Sequence, residues 1–296
     1  MKILNSEQYK NMLNEKLITF GKKTYPDYGN VVVMCGGAGS GKSFVAKNIL
    51  GREAKTLSTD DILPRLMKFE DNHKLSVEFK ELYGKSLSQC DLGKPEDCEA
   101  LHNFVNQKQF AKQQYGEMFG SIFGQKQKPN IIFDVTLKKY PKIEDISGLC
   151  MIGGYDPKNI HMVWVLNSFA NAKEQNAKRD RKVPEDGLVF THKGVAGVMK
   201  ELLTMSKSLG MIDGDIWIYF GSTNIGDTEL IQSDKGGKYI KDFVSVKIKE
   251  AWKKLDSYEE MMNKKVKIYD KNHNFLGETT LRDKINEYIP EESDKF

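Results

Sequence analysis

Val31-Val32-Val33-Met34-Cys35-Gly36-Gly37-Ala38-Gly39-Ser40-Gly41-Lys42-Ser43 is the stretch that decides how this chain folds. Five apolar residues read as a buried strand, the next eight fit G-x-x-x-x-G-K-S without a mismatch, and Phe44-Val45-Ala46-Lys47-Asn48-Ile49-Leu50 continues as an amphipathic helix. A strand that runs through a glycine-rich turn into a helix gathers backbone N–H groups and the positive end of a helix dipole at one point. Polyphosphate fits there. Gly36, Gly39 and Gly41 permit backbone angles and close approaches that a Cβ obstructs, and with Gly37, Ala38 and Ser40 they make the cradle. Lys42 is expected to reach the β- and γ-phosphates and the Ser43 hydroxyl to ligate Mg²⁺. ATP and Mg²⁺ are therefore the expected cofactors.

Around this loop, 296 residues with 39% hydrophobic content suffice for one large core with extensions. The 45 basic and 41 acidic side chains leave +4, so bulk charge neither requires nor excludes a polyanionic partner. Cys35, Cys90, Cys98 and Cys150 form no C-x-x-C pair and read as reduced thiols, a Cys90–Cys98 bridge or metal site being the lesser alternative. The first residues carry no signal-peptide pattern, and no run of about eighteen apolar residues occurs. A soluble, cytoplasmic protein without a membrane partner is expected.

Further apolar runs at Ala54 to Leu57, Asn130 to Thr136, His161 to Asn167 and Asp215 to Phe220 read as strands, separated by helical stretches. The fold class predicted is α/β, a P-loop NTPase-type doubly wound, mostly parallel sheet with helices on both faces. Residues 1–29 are expected as a helical extension, with a helix over 6–20. Residues 30–253 form the core, containing a helical insertion at 62–124 and a lid at 173–193. Residues 254–296 form an appended tail, a β-hairpin over 266–279 and a short helix, that offers a surface for a protein partner.

A phosphate loop alone does not name a reaction. No Asn-Lys-x-Asp follows a strand, since Asn263-Lys264-Lys265-Val266 lacks the aspartate, and no transporter-type Ser-Gly-Gly occurs, which weakens the GTPase and transporter readings. Asp60-Asp61 follows the second strand, eighteen residues after Lys42. In a doubly wound sheet the carboxyl ends of neighbouring strands share one crevice, so a carboxylate there can bind an acceptor hydroxyl and take its proton. Asp60 is the candidate base, and Asp61 either contacts substrate or caps the following helix. Asp134, after Ile131-Ile132-Phe133, divides between the Mg²⁺ shell and a substrate contact, with a structural strand-end aspartate as the minor alternative. Lys178-Arg179-Asp180-Arg181-Lys182 lies where a mobile lid could bring cations onto the transferring phosphoryl group, the alternative being a solvated charged face. His192, just after the proposed lid, reads as a surface-loop histidine, a phosphate contact being the lesser alternative. Phe110, Met118, Phe119 and Phe123 read as a core-packed stripe, with a nucleic-acid channel using Lys112, Tyr115, Phe119, Lys126 and Lys128 as the alternative.

Gly-Gly-Ala-Gly-Ser-Gly-Lys-Ser at 36–43, Ser-Thr-Asp-Asp at 58–61, Ile-Ile-Phe-Asp-Val-Thr at 131–136 and Arg-Asp-Arg-Lys-Val-Pro at 179–184 together resemble the zeta-toxin and polynucleotide-kinase branch of P-loop kinases. The resemblance spans roughly residues 30 to 225. It implies an ATP- and Mg²⁺-dependent kinase in which Asp60 activates a hydroxyl, Asp134 and Thr136 shape the acceptor site, and Arg179 and Arg181 bind the migrating phosphate. The acceptor it implies is a nucleotide-sugar, nucleoside, nucleotide or nucleic-acid end. Such kinases often carry an arginine three residues after the aspartate, where this chain has Leu63, with Arg65 two residues further on. A reading from another class is a nucleotide-binding scaffold or regulator with little or no phosphotransfer.

Overall fold

The computed structural model describes residues 19–20, 23–24, 28–49, 54–179, 183–205, 212–221, 230–232, 238–240, 243–249, 255–269, 275–291 and 293–296. Six strands make the central sheet: β1 (Val31–Cys35), β2 (Lys55–Leu57), β3 (Ile131–Asp134), β4 (Ile160–Asn167), β5 (Ile216–Gly221) and β6 (Phe243–Lys249). Their order is β6-β5-β4-β1-β3-β2, with every pair parallel except β5 and β6. Valine and isoleucine in unbroken runs suit strands covered on both faces, and all eight residues of β4 are buried. The apolar strands expected from sequence lie within a residue or two of their observed positions; β6, whose Val244, Val246 and Ile248 alternate with polar residues, was not among them.

Among the described residues ten α-helices follow in chain order: α1 (Lys42–Ile49), α2 (Leu63–Leu66), α3 (Lys74–Tyr83), α4 (Pro95–Gln107), α5 (Phe110–Ile122), α6 (Pro141–Ile152), α7 (Phe169–Ala177), α8 (Glu185–Thr204), α9 (Tyr258–Met262) and α10 (Leu281–Tyr288). The side-chain alternation of β1 assigns the two faces. Val31, Val33 and Cys35 join a large cluster with Phe119, Phe133, Trp164, Met199 and Leu203, while Val32, Met34, Val45, Ile132 and Val165 pack on the face covered by α1. None of the helices among the described residues is long and apolar enough to cross a membrane.

The insertion is helical, as expected, and has a core of its own. Leu63, Leu66, Phe79, Leu87, Leu101, Phe104 and Val105 form a separate apolar cluster, with Phe79 and Phe104 edge to face at 5.2 Å. Pro95 starts α4, Glu96 and Asp97 occupy its first turn, and the buried Asp97 pairs with Lys85.

Three expectations need correction. The predicted helix over 6–20 lies outside the described residues except for Thr19–Phe20, which is a strand paired antiparallel with Lys23–Thr24. Phe123 does not belong to the core stripe: it follows the end of α5 and is 68% exposed, whereas Phe119 and Tyr115 are buried in the main cluster. The tail hairpin, Lys265–Tyr269 with Phe275–Thr280, and α10 form as expected, but they are not merely appended. Val266, Leu281, Ile285 and Tyr288 belong to the main cluster, Tyr288 meets Phe220 at 5.5 Å, and Phe296 meets Trp164 at 5.6 Å. The hairpin turn at 270–274 lies outside the described residues.

Candidate active site

β1, β3 and β2 lie side by side and parallel, so their carboxyl ends open on one edge of the sheet, where the strand order reverses beside β1. A cavity of about 1080 Å³ occupies that edge. Ala38, Gly39, Gly41, Lys42 and Ser43 form its floor, while Gly36, Gly37 and Ser40 are buried beneath the loop. Gly39 and Gly41 hold φ of 74° and 92°, the left-handed region that glycine enters at little cost. Gly37 is required for a different reason: a Cβ there would overlap the imidazole of His192.

That contact corrects the reading of His192. It lies inside α8, is buried, and sets its Nε2 2.8 Å from the carbonyl oxygen of Ala38, while the next residue back, Thr191, accepts the Ala38 N–H at 3.1 Å. Both polar groups of the Ala38 backbone are thereby held by one helix. Burial, reinforced by the nearby Lys42 charge and opposed by the bond to Ala38, pulls the His192 pKa down to about 4. The ring is therefore neutral, and its Nε2–H donates to the loop.

Lys42 folds back over the loop, donating to the carbonyls of Gly36 at 2.8 Å and Gly37 at 3.1 Å. Burial lowers its pKa, against the attraction of Asp134 and Asp60. The Ser43 hydroxyl donates to Asp134 Oδ2 at 3.0 Å, and Asp134 is in register with Met34 on the neighbouring strand. A hydroxyl and a carboxylate oxygen at that separation are a hard oxygen-donor pair of the type Mg²⁺ takes, next to a cradle for phosphate. Thr136 lines the same cavity, and Leu137 after it is a buried non-glycine residue at φ 57°. Such a conformation costs about 1–3 kcal/mol, and it bends the chain along the cavity wall.

Asp60 stands on the turn Thr59–Asp61 at the end of β2 and lines the cavity. Ser58 accepts the Asp60 N–H at 3.2 Å and caps the turn Thr59–Asp61, while α2 carries no side-chain cap, so Asp61 does not fill the capping role considered for it. Asp61 is exposed and does not line the cavity; partial burial raises its pKa, offset by the charge of Arg65. Arg179 reaches the cavity just beyond α7. Asn176 bridges the base of its loop, giving Nδ2–H to the carbonyl of Val183 at 2.8 Å and accepting the Val183 N–H at 3.0 Å. Arg181 lies outside the described residues.

Sequence reasoning missed the wall opposite the loop. Glu99, His102, Asn103 and Asn106 recur at helical spacing on one face of α4 and line the cavity, and His102 Nε2 is 3.5 Å from Asp60 Oδ1. Lys138, Lys139 and Lys142 follow β3 along another side, with the Lys138 ammonium 5.1 Å from the exposed Phe190 ring. The spacing of α4 was available in the sequence, but the polar side of an amphipathic helix ordinarily faces water. The four cysteines are buried and unbridged.

No curated protein matches the sequence. Among solved structures, the chain is similar to one from the PezAT chromosomal toxin-antitoxin system of Streptococcus pneumoniae, at 11% identity and a TM-score of 0.40 over 99% of this chain and 92% of that one. It is also similar to the AvrRxo1-ORF1:AvrRxo1-ORF2 complex solved with sulphate ions, at 14% identity and a TM-score of 0.34 over 73% and 59% of the two chains. The same complex solved with ATP matches at 12% and 0.34 over 80% and 65%. Residues 31–189, more than half of the chain and inclusive of the loop, Asp60, Asp134 and Arg179, match the AAA domain profile, and the protein belongs to that family of P-loop nucleotide-binding domains.

Proposed function

We propose that this protein is a kinase of the zeta-toxin and polynucleotide-kinase type, moving the γ-phosphoryl group of ATP to a hydroxyl on a nucleotide-sugar, nucleoside, nucleotide or nucleic-acid end. One observation carries the reading: Lys42 and Ser43 in the first turn of α1, Asp134 at the end of β3 and Asp60 on the turn after β2 line one cavity at the carboxyl ends of three adjacent parallel strands. A P-loop that only binds nucleotide needs no carboxylate across from the γ-phosphate; a phosphotransferase does.

In this reading Lys42 exchanges the Gly36 and Gly37 carbonyls for phosphate oxygens. Ser43 and Asp134 would hold Mg²⁺, which when bound neutralises charge on the β- and γ-phosphates. Asp60 accepts the acceptor's proton as the new O–P bond forms and the bond to the β-phosphate oxygen breaks, leaving ADP. Arg179, with Arg181, stabilises charge on the group in flight. Residues 62–124 form the acceptor-side wall and 173–193 the lid.

The test is transfer from γ-labelled ATP to pooled metabolites and to 5′-hydroxyl oligonucleotides. Label in an organic product that is lost with Lys42→Ala supports the reading. Label released only as inorganic phosphate in every pool, or unchanged turnover in Lys42→Ala, overturns it.

A further inference from the structure

The insertion has its own apolar core yet one of its side chains reaches the candidate base. His102, on α4, brings Nε2 to 3.5 Å from Asp60 Oδ1, with the two side chains 28% and 45% exposed. Resting on the kinase reading above, we propose that His102 is a positioning residue for Asp60, and that the insertion thereby sets the orientation of the base.

A general base must direct a lone pair at the acceptor hydroxyl, and this is a question of rotamer as much as of charge. The Asp60 backbone is fixed by Ser58, while its carboxylate is half exposed on a three-residue turn and sits within reach of the His102 imidazole. An imidazole N–H drawn to Oδ1 biases the carboxylate's rotamer, and with it the direction of the oxygen that takes the proton. Other charges on these walls, Glu99 on the same helix, Asp134, Lys138, Lys139 and Arg179, set the field, while His102 supplies the short-range direction. The chain leaves Asp60 straight into α2, whose Leu63 and Leu66 pack with Leu101 and Phe104 of α4. The turn that carries the carboxylate and the helix that carries the imidazole are thus fixed by one apolar cluster.

The test uses Mg²⁺-ATP with water as acceptor and follows phosphate release. His102→Ala should lower kcat about tenfold with the KM for ATP unchanged, and His102→Gln, which retains an N–H donor, should recover most of the loss. In an Asp60→Asn background, His102→Ala should cost nothing further, because its effect passes through that carboxylate. At fixed pH the His102 imidazole ¹⁵N signals should move on Asp60→Asn. Losses that multiply across the two positions, a KM change that tracks the kcat loss, or stationary ¹⁵N signals overturn the inference. Unchanged melting temperature for the Gln variant secures the comparison against misfolding. Lys42→Ala separates the two claims: full activity in that variant overturns the kinase reading, whereas an inactive Lys42→Ala beside a fully active His102→Ala overturns the positioning role alone.

Discussion

On one side of the cavity the phosphate loop is gripped by its surroundings, with Ala38 bonded through both backbone groups to α8, Gly39 against the carbonyl of Ala172, and Gly37 beneath the His192 ring. On the other side α4 offers Glu99, His102, Asn103 and Asn106, which no strand holds and whose helix rests on a separate apolar cluster. The first wall must present the same N–H groups to a triphosphate at every turnover, and rigidity serves it. On the proposed kinase reading the second wall would admit and release an acceptor, and the residues facing it sit on a helix outside the sheet with an apolar cluster of its own. Variation in substrate would therefore be written in α4 and the Lys138–Lys142 segment.

The largest effect that sharpens this contrast belongs to the residue at the junction of the two walls. Asp60→Asn should lower turnover about 10²–10⁴-fold, as loss of a general base does, with ATP affinity measured by calorimetry nearly unchanged. Lys42→Ala should cost about 10²–10³-fold in turnover and also weaken ATP, since it strips a charge from the loop itself. Its circular dichroism should match the parent protein.

Removing a cation of the proposed lid comes next. Arg179→Ala should reduce kcat about tenfold or more while leaving the ATP dissociation constant in place, and lysine should restore only part, lacking the planar fork. Equal loss of binding and turnover would make it a ground-state contact.

A stability test then isolates the rigid wall. The folded pKa of His192, about 4, lies below the unfolded value of 6.5, so between those values the unfolded chain binds a proton that the folded one refuses. Its contribution is fully present above about pH 6.5 and is lost as pH falls towards 4, about 3 kcal/mol in all. Urea midpoints measured from pH 7 to pH 4.5 should fall less steeply in His192→Gln than in the parent protein; parallel curves would show that the ring does not carry this term. The smallest expected effect lies on the other wall. Asn103→Ala or Asn106→Ala should raise the acceptor KM about three- to tenfold, the worth of one hydrogen bond, without touching ATP binding.

How much of this was legible in the chain divides along the same line. Val31 to Ser43 announces its strand, turn and helix because each local preference agrees with the final structure. Asp60 and Asp134 were found because they terminate apolar runs, and strand ends converge in a parallel sheet. His192 was misread for want of a partner in sequence: its partner, Ala38, is 154 residues away and contributes only backbone. The α4 face was missed because Glu, His and Asn on a helix describe a solvated surface equally well, and only docking decides which water is replaced by substrate. β6, at the sheet edge and antiparallel to β5, was passed over although Val244, Val246 and Ile248 alternate with Ser245, Lys247 and Lys249.

The grip of Thr191 and His192 on Ala38 has a thermodynamic corollary. Because the loop conformation that receives phosphate and the folded state of the first turns of α8 share these bonds, occupancy of one and integrity of the other form a single linked equilibrium. A triphosphate that binds only the gripped loop must protect α8 against opening, and anything that secures α8 from outside must tighten the nucleotide by the same factor. Amide exchange along residues 185–204, with and without nucleotide, would read that factor from the helix rather than from the ligand.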